Sequence, residues 1–242
     1  MKRFFYRILC AVLCTILTFG LLSCTKNGDK TEETTEKKLI VVDTPPTEEQ
    51  TPPIDPPPNG YEYENITSEV MDILWEKGIQ TTFFCTMTYL CSCPEVVARM
   101  IAEGHNVGNH SLSHPADCAA LSREEMALQA LAVENYLRVN FGYSAKYFRF
   151  PSGVYSESAV EVLRSVGYRS VFWSIAYADW DPENQIGPEK AMQTLIDRLH
   201  PGAVILLHTT SRDNVEILSD FIDYALSQGY TFLSLDDYPG WK

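Results

Sequence analysis

Two histidines stand four residues apart in His110-Ser111-Leu112-Ser113-His114-Pro115, directly after a short strand-like segment, His105-Asn106-Val107-Gly108. If the chain turns helically there, both imidazoles project from one face and can share a metal ion. Catalytic zinc usually takes three protein ligands and leaves one position for water, so the pair makes an incomplete site. Three further polar clusters follow: Arg149-Phe150-Pro151-Ser152-Gly153, then Ala178-Asp179-Trp180, then Leu206-Leu207-His208-Thr209. A histidine beside a carboxylate suits proton transfer, and a metal beside it suits activation of water.

The elements that must position these residues alternate. Val70, Ile73 and Leu74 give a helical stripe, and Thr81-Thr82-Phe83-Phe84-Cys85 a compact strand. Pro94 opens a helix that ends at Glu103-Gly104, and Ser122-Arg123-Glu124-Glu125 is a capping box before a long helix with apolar residues at 126, 128, 131, 133 and 137. Strands are expected at 147–150, 170–173, 203–207 and 230–233, with 203–207 read as buried on both faces. Helices are expected at 156–166, 191–199 and 213–228. Six strands alternating with helices imply βα units around a parallel sheet or barrel, an α/β fold. His110, Arg149, Asp179 and His208 all fall just past strand C-termini, the rim where such barrels assemble chemistry.

The order and wording of the four clusters resemble the polysaccharide deacetylase family, metal-dependent carbohydrate de-N-acetylases of the carbohydrate esterase type, from about Asn59 to Asp237. R-F-P-S-G-V-Y from Arg149, the stretch 171–180, and L-L-H-T-T-S-R-D-N ending at Asn214 look most like the delta-lactam type, which acts on muramic acid in peptidoglycan. The resemblance implies a distorted (β/α) barrel. It implies His110 and His114 as ligands of a divalent metal, normally zinc, and His208 as the general acid that protonates the leaving amine. Asp179 would hold and charge that imidazole, and Arg149 would pair with the catalytic carboxylate. Ser152 would lend its backbone N–H to the oxyanion, Trp180 would form a wall for the sugar, and Asn59 would lie in the substrate site. His105 and His200 match none of these clusters and read as structural.

The family's first cluster, a strand ending in T-F-D, departs from pattern here. Asn59-Gly60-Tyr61-Glu62 reproduces its tail, but Pro58, after Pro56 and Pro57, stands where the base is expected. Three prolines cannot serve a central strand, so the first strand is expected to be missing or irregular. Asp55 could enter from a loop. Alternatively, Lys38-Leu39-Ile40-Val41-Val42-Asp43 could supply both strand and acid, with a proline-rich insertion behind it. If neither does, the chain is an impaired deacetylase-like protein that binds cell-wall glycan.

The chain of 242 residues begins with Lys2, Arg3 and Arg7, followed by an apolar run from Ile8 to Leu22 and then Ser23-Cys24. This resembles a bacterial lipoprotein signal with Cys24 as the lipidated residue; an ordinary cleaved signal or an uncleaved anchor is the alternative. Residues 25–58, rich in Thr, Glu, Lys and Pro, read as an extended linker, and 59–242 as the domain. The location expected is the cell envelope, outside the cytoplasm, with a monomer anchored to the membrane by lipid. A net charge of −13 argues against nucleic acid and suits a neutral or amine-bearing substrate; the resemblance implies peptidoglycan or another N-acetylated glycan as the partner. Cys85, Cys91, Cys93 and Cys118 read as core or loop residues rather than a disulfide, metal or redox set, since Cys91-Ser92-Cys93 is too short for C-x-x-C patterns.

Overall fold

The computed structural model describes residues 60–241. The expected leader and linker, Cys24, Asp43, Asp55 and Asn59 lie outside the described residues.

Four short parallel strands form one sheet in chain order: β1 (Thr82–Cys85), β2 (Asn106–Asn109), β3 (Tyr147–Phe148) and β4 (Arg169–Ser170). Each crossover is helical, as parallel pairing requires. The helices are α1 (Gly60–Glu76), α2 (Met87–Ser92), α3 (Pro94–Ala102), α4 (Arg123–Phe141), α5 (Glu157–Ser165), α6 (Pro188–Arg198) and α7 (Arg212–Ser227). β1 pairs with β2 along its whole length, from Thr82 opposite Asn106 to Cys85 opposite Asn109. Outside that sheet a single parallel bridge pairs Ile175 with Ile205. The result is the predicted α/β architecture with a parallel sheet, curling in the sense of a distorted barrel.

Local signals account for the helix ends. Ser122 accepts from the Glu125 N–H at 3.2 Å while the Glu125 carboxylate accepts from the Ser122 N–H at 2.8 Å, the capping box read from sequence. Gly142, in the left-handed region, closes α4. The core packs against both sheet faces. One cluster joins α1, α2 and α3 to β1 and β2 through Met71, Leu90, Val97 and Met100; a second joins α4 and α5 through Met126, Phe148, Phe150 and Leu163. The third joins α6 and α7 through Leu195, Ile217 and Phe221 around Ile175.

Three expectations change. Segment 203–207 is half-buried and makes one bridge, at Ile205, rather than forming a doubly buried strand. Segment 230–233 makes no ladder. A ladder needs a paired neighbour: among the described residues Ile205 bridges only to Ile175, and 230–233 pairs with none. On α4 the buried face is Met126, Ala130, Val133 and Leu137, while Leu128 and Leu131 face outward. Ala130 completes the helical period that the leucines break.

Candidate active site

The loop after β2 carries the imidazole pair, and its turn is not helical. Ser111 has φ 78° and His114 φ 49°, left-handed values that cost energy for residues with a side chain. Asn109, fully buried at the end of β2, holds this shape. Its Oδ1 accepts from the Ser111 N–H at 2.9 Å, and its Nδ2 donates to the Ala130 carbonyl and to the Tyr168 hydroxyl, each at 2.9 Å. Tyr168 in turn donates to Glu134 of α4 at 3.1 Å. The Ser111 hydroxyl accepts from the His114 N–H at 2.9 Å. The rings of His110 and His114 meet edge to face with centroids 4.9 Å apart. The predicted convergence is therefore produced by two left-handed residues and a buried amide, not by a helical turn.

His110 is buried and places Nδ1 2.8 Å from the Arg149 carbonyl. A carbonyl only accepts, so Nδ1 carries the proton and Nε2 keeps its lone pair. Burial, reinforced by the positive charge of Arg149, pushes the His110 pKa down to about 2. Burial lowers that of His114 as well. Repulsion from His208 contributes to both shifts, after burial and Arg149.

His208 follows the Ile205 bridge and is clamped by Asp179, which follows the Ile175 bridge and is fully buried. The Asp179 carboxylate accepts from the His208 backbone N–H, from His208 Nδ1 and from Asn214 Nδ2, all at 2.7 Å. Asn214 also donates to the His208 carbonyl at 2.9 Å, and its side-chain oxygen accepts from the Tyr177 hydroxyl. The imidazole is thus fixed with Nε2 outward. Arg149 follows β3, with its guanidinium 5.3 Å from the centre of the Phe84 ring. Burial lowers its pKa to about 10, an effect that Cys85 and Asp179 partly offset. Among the described residues it makes no ion pair.

Two strand ends (β2 and β3) and the two sides of the Ile175–Ile205 bridge thus carry His110, His114, Arg149, Asp179 and His208. Comparison with known proteins matches the polysaccharide deacetylase family over residues 56–171. Peptidoglycan-N-acetylmuramic acid deacetylase PdaA of Bacillus subtilis is 40% identical over 74% of this chain and 68% of its own. The chain belongs to the polysaccharide deacetylase family. The solved structure of that PdaA, a family 4 carbohydrate esterase, superimposes with a TM-score of 0.68 at 39% identity, covering 71% of this chain and 74% of the other. BA3943 of Bacillus anthracis, described as a pseudoenzyme of this family, shares the fold with a TM-score of 0.67 at 22% identity over 72% of this chain and 60% of its own. The family's reaction is hydrolysis of an N-acetyl amide bond.

Ser152 and Trp180, expected on the substrate side, are both exposed. Ser152 is exposed with φ 54°, in a tight turn that Gly153 makes possible: a Cβ at Gly153 would sit 2.9 Å from the Trp173 ring. Trp180 is 61% exposed, which excludes a core role, and its ring lies 6.5 Å from that of His208. Tyr155 and Phe172, 4.7 Å apart and partly exposed, extend the aromatic surface near Ser152.

His110 and His114 fit half of a metal site: two neutral imidazoles converge, and the tautomer of the first is set by a carbonyl. Among the described residues no group of three His, Cys, Asp or Glu could hold an ion, so a third protein ligand has to come from elsewhere. The four described cysteines form no disulfide with one another, and Cys85, Cys93 and Cys118 are buried. Burial pushes the Cys85 thiol up to about 12, so it is an inert core group.

Asn109, Asn214 and Tyr168 escaped the sequence reading. Asn214 closed the L-L-H-T-T-S-R-D-N stretch and follows Ser211, which caps α7 by accepting from the Asn214 N–H at 3.2 Å; that cap was the available signal. Asn109 had only its place before His110.

Proposed function

We propose that this protein removes N-acetyl groups from a peptidoglycan sugar at the bacterial cell envelope, with muramic acid favoured over N-acetylglucosamine. The observation that supports this most is the His208–Asp179 pair, fixed by three N–H groups converging on the buried carboxylate at 2.7 Å. His110 and His114 would hold a divalent metal, zinc on the chemistry of two imidazole ligands. When bound, the metal polarises the acetamide carbonyl and makes its water more acidic. As the C–N bond breaks, His208 Nε2 gives its proton to the departing amine, and Asp179 balances the charge on the ring. The Ser152 N–H supports the oxyanion, Trp180 and its aromatic neighbours bear on the sugar face, and Arg149 orients the carboxylate that accepts the water proton. Asn59 joins the substrate side, Cys24 carries the lipid that tethers a monomer to the membrane, and nucleic acid is no partner.

A second reading is favoured by one observation. Arg149 has no acidic partner among the described residues, and the first-cluster acid is replaced by Pro58. On that reading the protein keeps the groove and binds wall glycan with little turnover. Acetate release from N-acetylated peptidoglycan with zinc separates the two. Release that disappears in His208→Ala and on chelation supports the hydrolase. No acetate above blank, with retention on purified wall, supports the binding protein.

A further inference from the structure

Ser111 and His114 hold left-handed backbone angles, and such angles persist in residues with a side chain only where neighbouring groups enforce them. Ser111 is enforced from three sides. Its N–H donates to Asn109, its carbonyl accepts from the Met87 N–H at 3.2 Å, and its hydroxyl accepts from the His114 N–H. His114 lies farther along the loop, where fewer groups reach it. Leu112 packs at the edge of the α1–α3 cluster, and among the described residues the hydrogen bonds of Ser113 all go to one side chain, Gln129 of α4.

The Gln129 side-chain oxygen accepts from the Ser113 N–H at 3.0 Å, and its amide nitrogen donates to the Ser113 hydroxyl at 3.0 Å. A backbone N–H only donates, so this pairing fixes which way the amide points. The next residue of α4, Ala130, lends its carbonyl to Asn109. Adjacent residues of one helix therefore bond the residue before each imidazole: Asn109 precedes His110, and Ser113 precedes His114. The helix is suited to that task, being capped at Ser122, closed at Gly142 and buried along Met126, Ala130, Val133 and Leu137. The two bonds differ in setting. Asn109 is fully buried, whereas Ser113 is exposed and Gln129 half-buried. A hydrogen bond that water can replace adds little to global stability, so what the Gln129 bond supplies is the position of the Ser113–His114 peptide.

We propose that Gln129 is a positioning residue for the imidazole pair: it pins Ser113 to α4 and so keeps the His114 ring 4.9 Å from that of His110 before any metal is bound. The proposal rests on the reading above that these rings hold a divalent metal. Rings that already converge lose less conformational freedom on binding than a loose pair, so metal affinity is where the bond shows.

The test compares the full-length parent with Gln129→Met, which keeps the side-chain length and removes both polar atoms, and with Gln129→Glu, which keeps an acceptor for the Ser113 N–H. The measurements are amide hydrogen exchange at Ser113 and His114 in chelator, zinc affinity against a competing chromophore, and Tm. In Gln129→Met, exchange at Ser113 should quicken about tenfold or more. Zinc affinity should fall about tenfold, the lower end for a group that orients a metal ligand, with Tm within about 2 °C of the parent. Gln129→Glu should return both exchange and affinity to near the parent's values. Native exchange in Gln129→Met would overturn the proposal, and so would native zinc affinity despite faster exchange. An affinity loss that comes with a Tm lowered by more than about 5 °C, and that Gln129→Glu does not repair, would make Gln129 a purely structural residue and overturn it as well. A parent that binds no zinc would overturn the metal reading alone, and the exchange result would then decide the hold on Ser113.

Discussion

Asp179→Asn isolates the role of the buried carboxylate without changing its size. In the native protein three N–H groups converge on it at 2.7 Å, two from His208 and one from Asn214. Hydrogen bonds to a charged group contribute about 1.5–3 kcal/mol each. An amide offers one oxygen and turns an N–H₂ toward the remaining donors, so at least one buried donor loses its partner, at about 1–3 kcal/mol. Adding the lost charge assistance on the other two gives a destabilisation of about 3–5 kcal/mol. For a domain of this size that lowers Tm by roughly 6–20 °C. The second effect is chemical. Without the carboxylate, His208 Nδ1 can accept from the amide, which moves the ring proton to Nε2 without a countercharge for the imidazolium. General acid catalysis contributes about 10²–10⁴ in rate, so kcat for acetate release should fall within that range. Asp179 is fully buried and does not reach a ligand, so KM should stay within about threefold. Differential scanning calorimetry and a coupled acetate assay measure the two effects. A variant with native Tm and native kcat would refute the clamp; a lowered Tm with native kcat would make Asp179 a purely structural group and remove His208 from the proposed chemistry.

Asn109→Ala removes all three bonds that hold the left-handed turn at Ser111, and should weaken zinc binding ten- to a hundredfold, the usual cost of losing a group that orients metal ligands; metal titration with a competing chromophore checks it, and unchanged affinity would show that the turn holds itself. The pH dependence of stability has a definite sign. His110 titrates near 2 when folded and near 6.5 when unfolded, so between those values the unfolded chain takes up a proton that the folded chain refuses. Stability of the metal-free protein is therefore complete above about pH 6.5 and declines as pH falls toward 2. His105 and His114, also lowered by burial, act in the same direction. Urea midpoints between pH 7.5 and 4.5 in chelator should fall, and His110→Gln should flatten the slope. Finally, Asp43→Asn should abolish acetate release while Asp55→Asn leaves it; loss with neither substitution, in an active protein, would exclude both as the base.

Most of the site was legible because its chemistry is tied to strand ends. His110, Arg149, Asp179 and His208 each follow a segment whose apolar, β-branched or aromatic residues mark it as buried, and the alternation of those segments with capped helices fixes which ends share a rim. The His110/His114 convergence was legible too, but not its cause. Spacing of four suggests a helix, whereas the turn is made by a buried amide, and Asn before His carries no periodic signal. Segment 203–207 was overread for the opposite reason. Five apolar residues in a row look like a central strand, but a strand is a pairing property, and here only Ile205 finds a partner, Ile175. On α4, leucine was given more weight than alanine, although the period of 3.6 residues selects Ala130.

The arrangement separates holding the groove from supplying the base. Each imidazole is fixed by groups within its own half of the described domain: His110 by the Arg149 carbonyl, His114 by Ser111, Asn109 and Tyr168, His208 by Asp179 and Asn214. None of these contacts uses the first cluster, so replacing that cluster by prolines leaves the geometry of the rim in place. Arg149 is where the replacement shows. A half-buried guanidinium is costly unless paired, and here its charge rests against the Phe84 ring and lowers the affinity of His110 for protons. That same field keeps the imidazole lone pair open to a metal and attracts any carboxylate able to reach the rim. On the proposed reading the rim is therefore poised for a carboxylate, and acetate release depends on that single group.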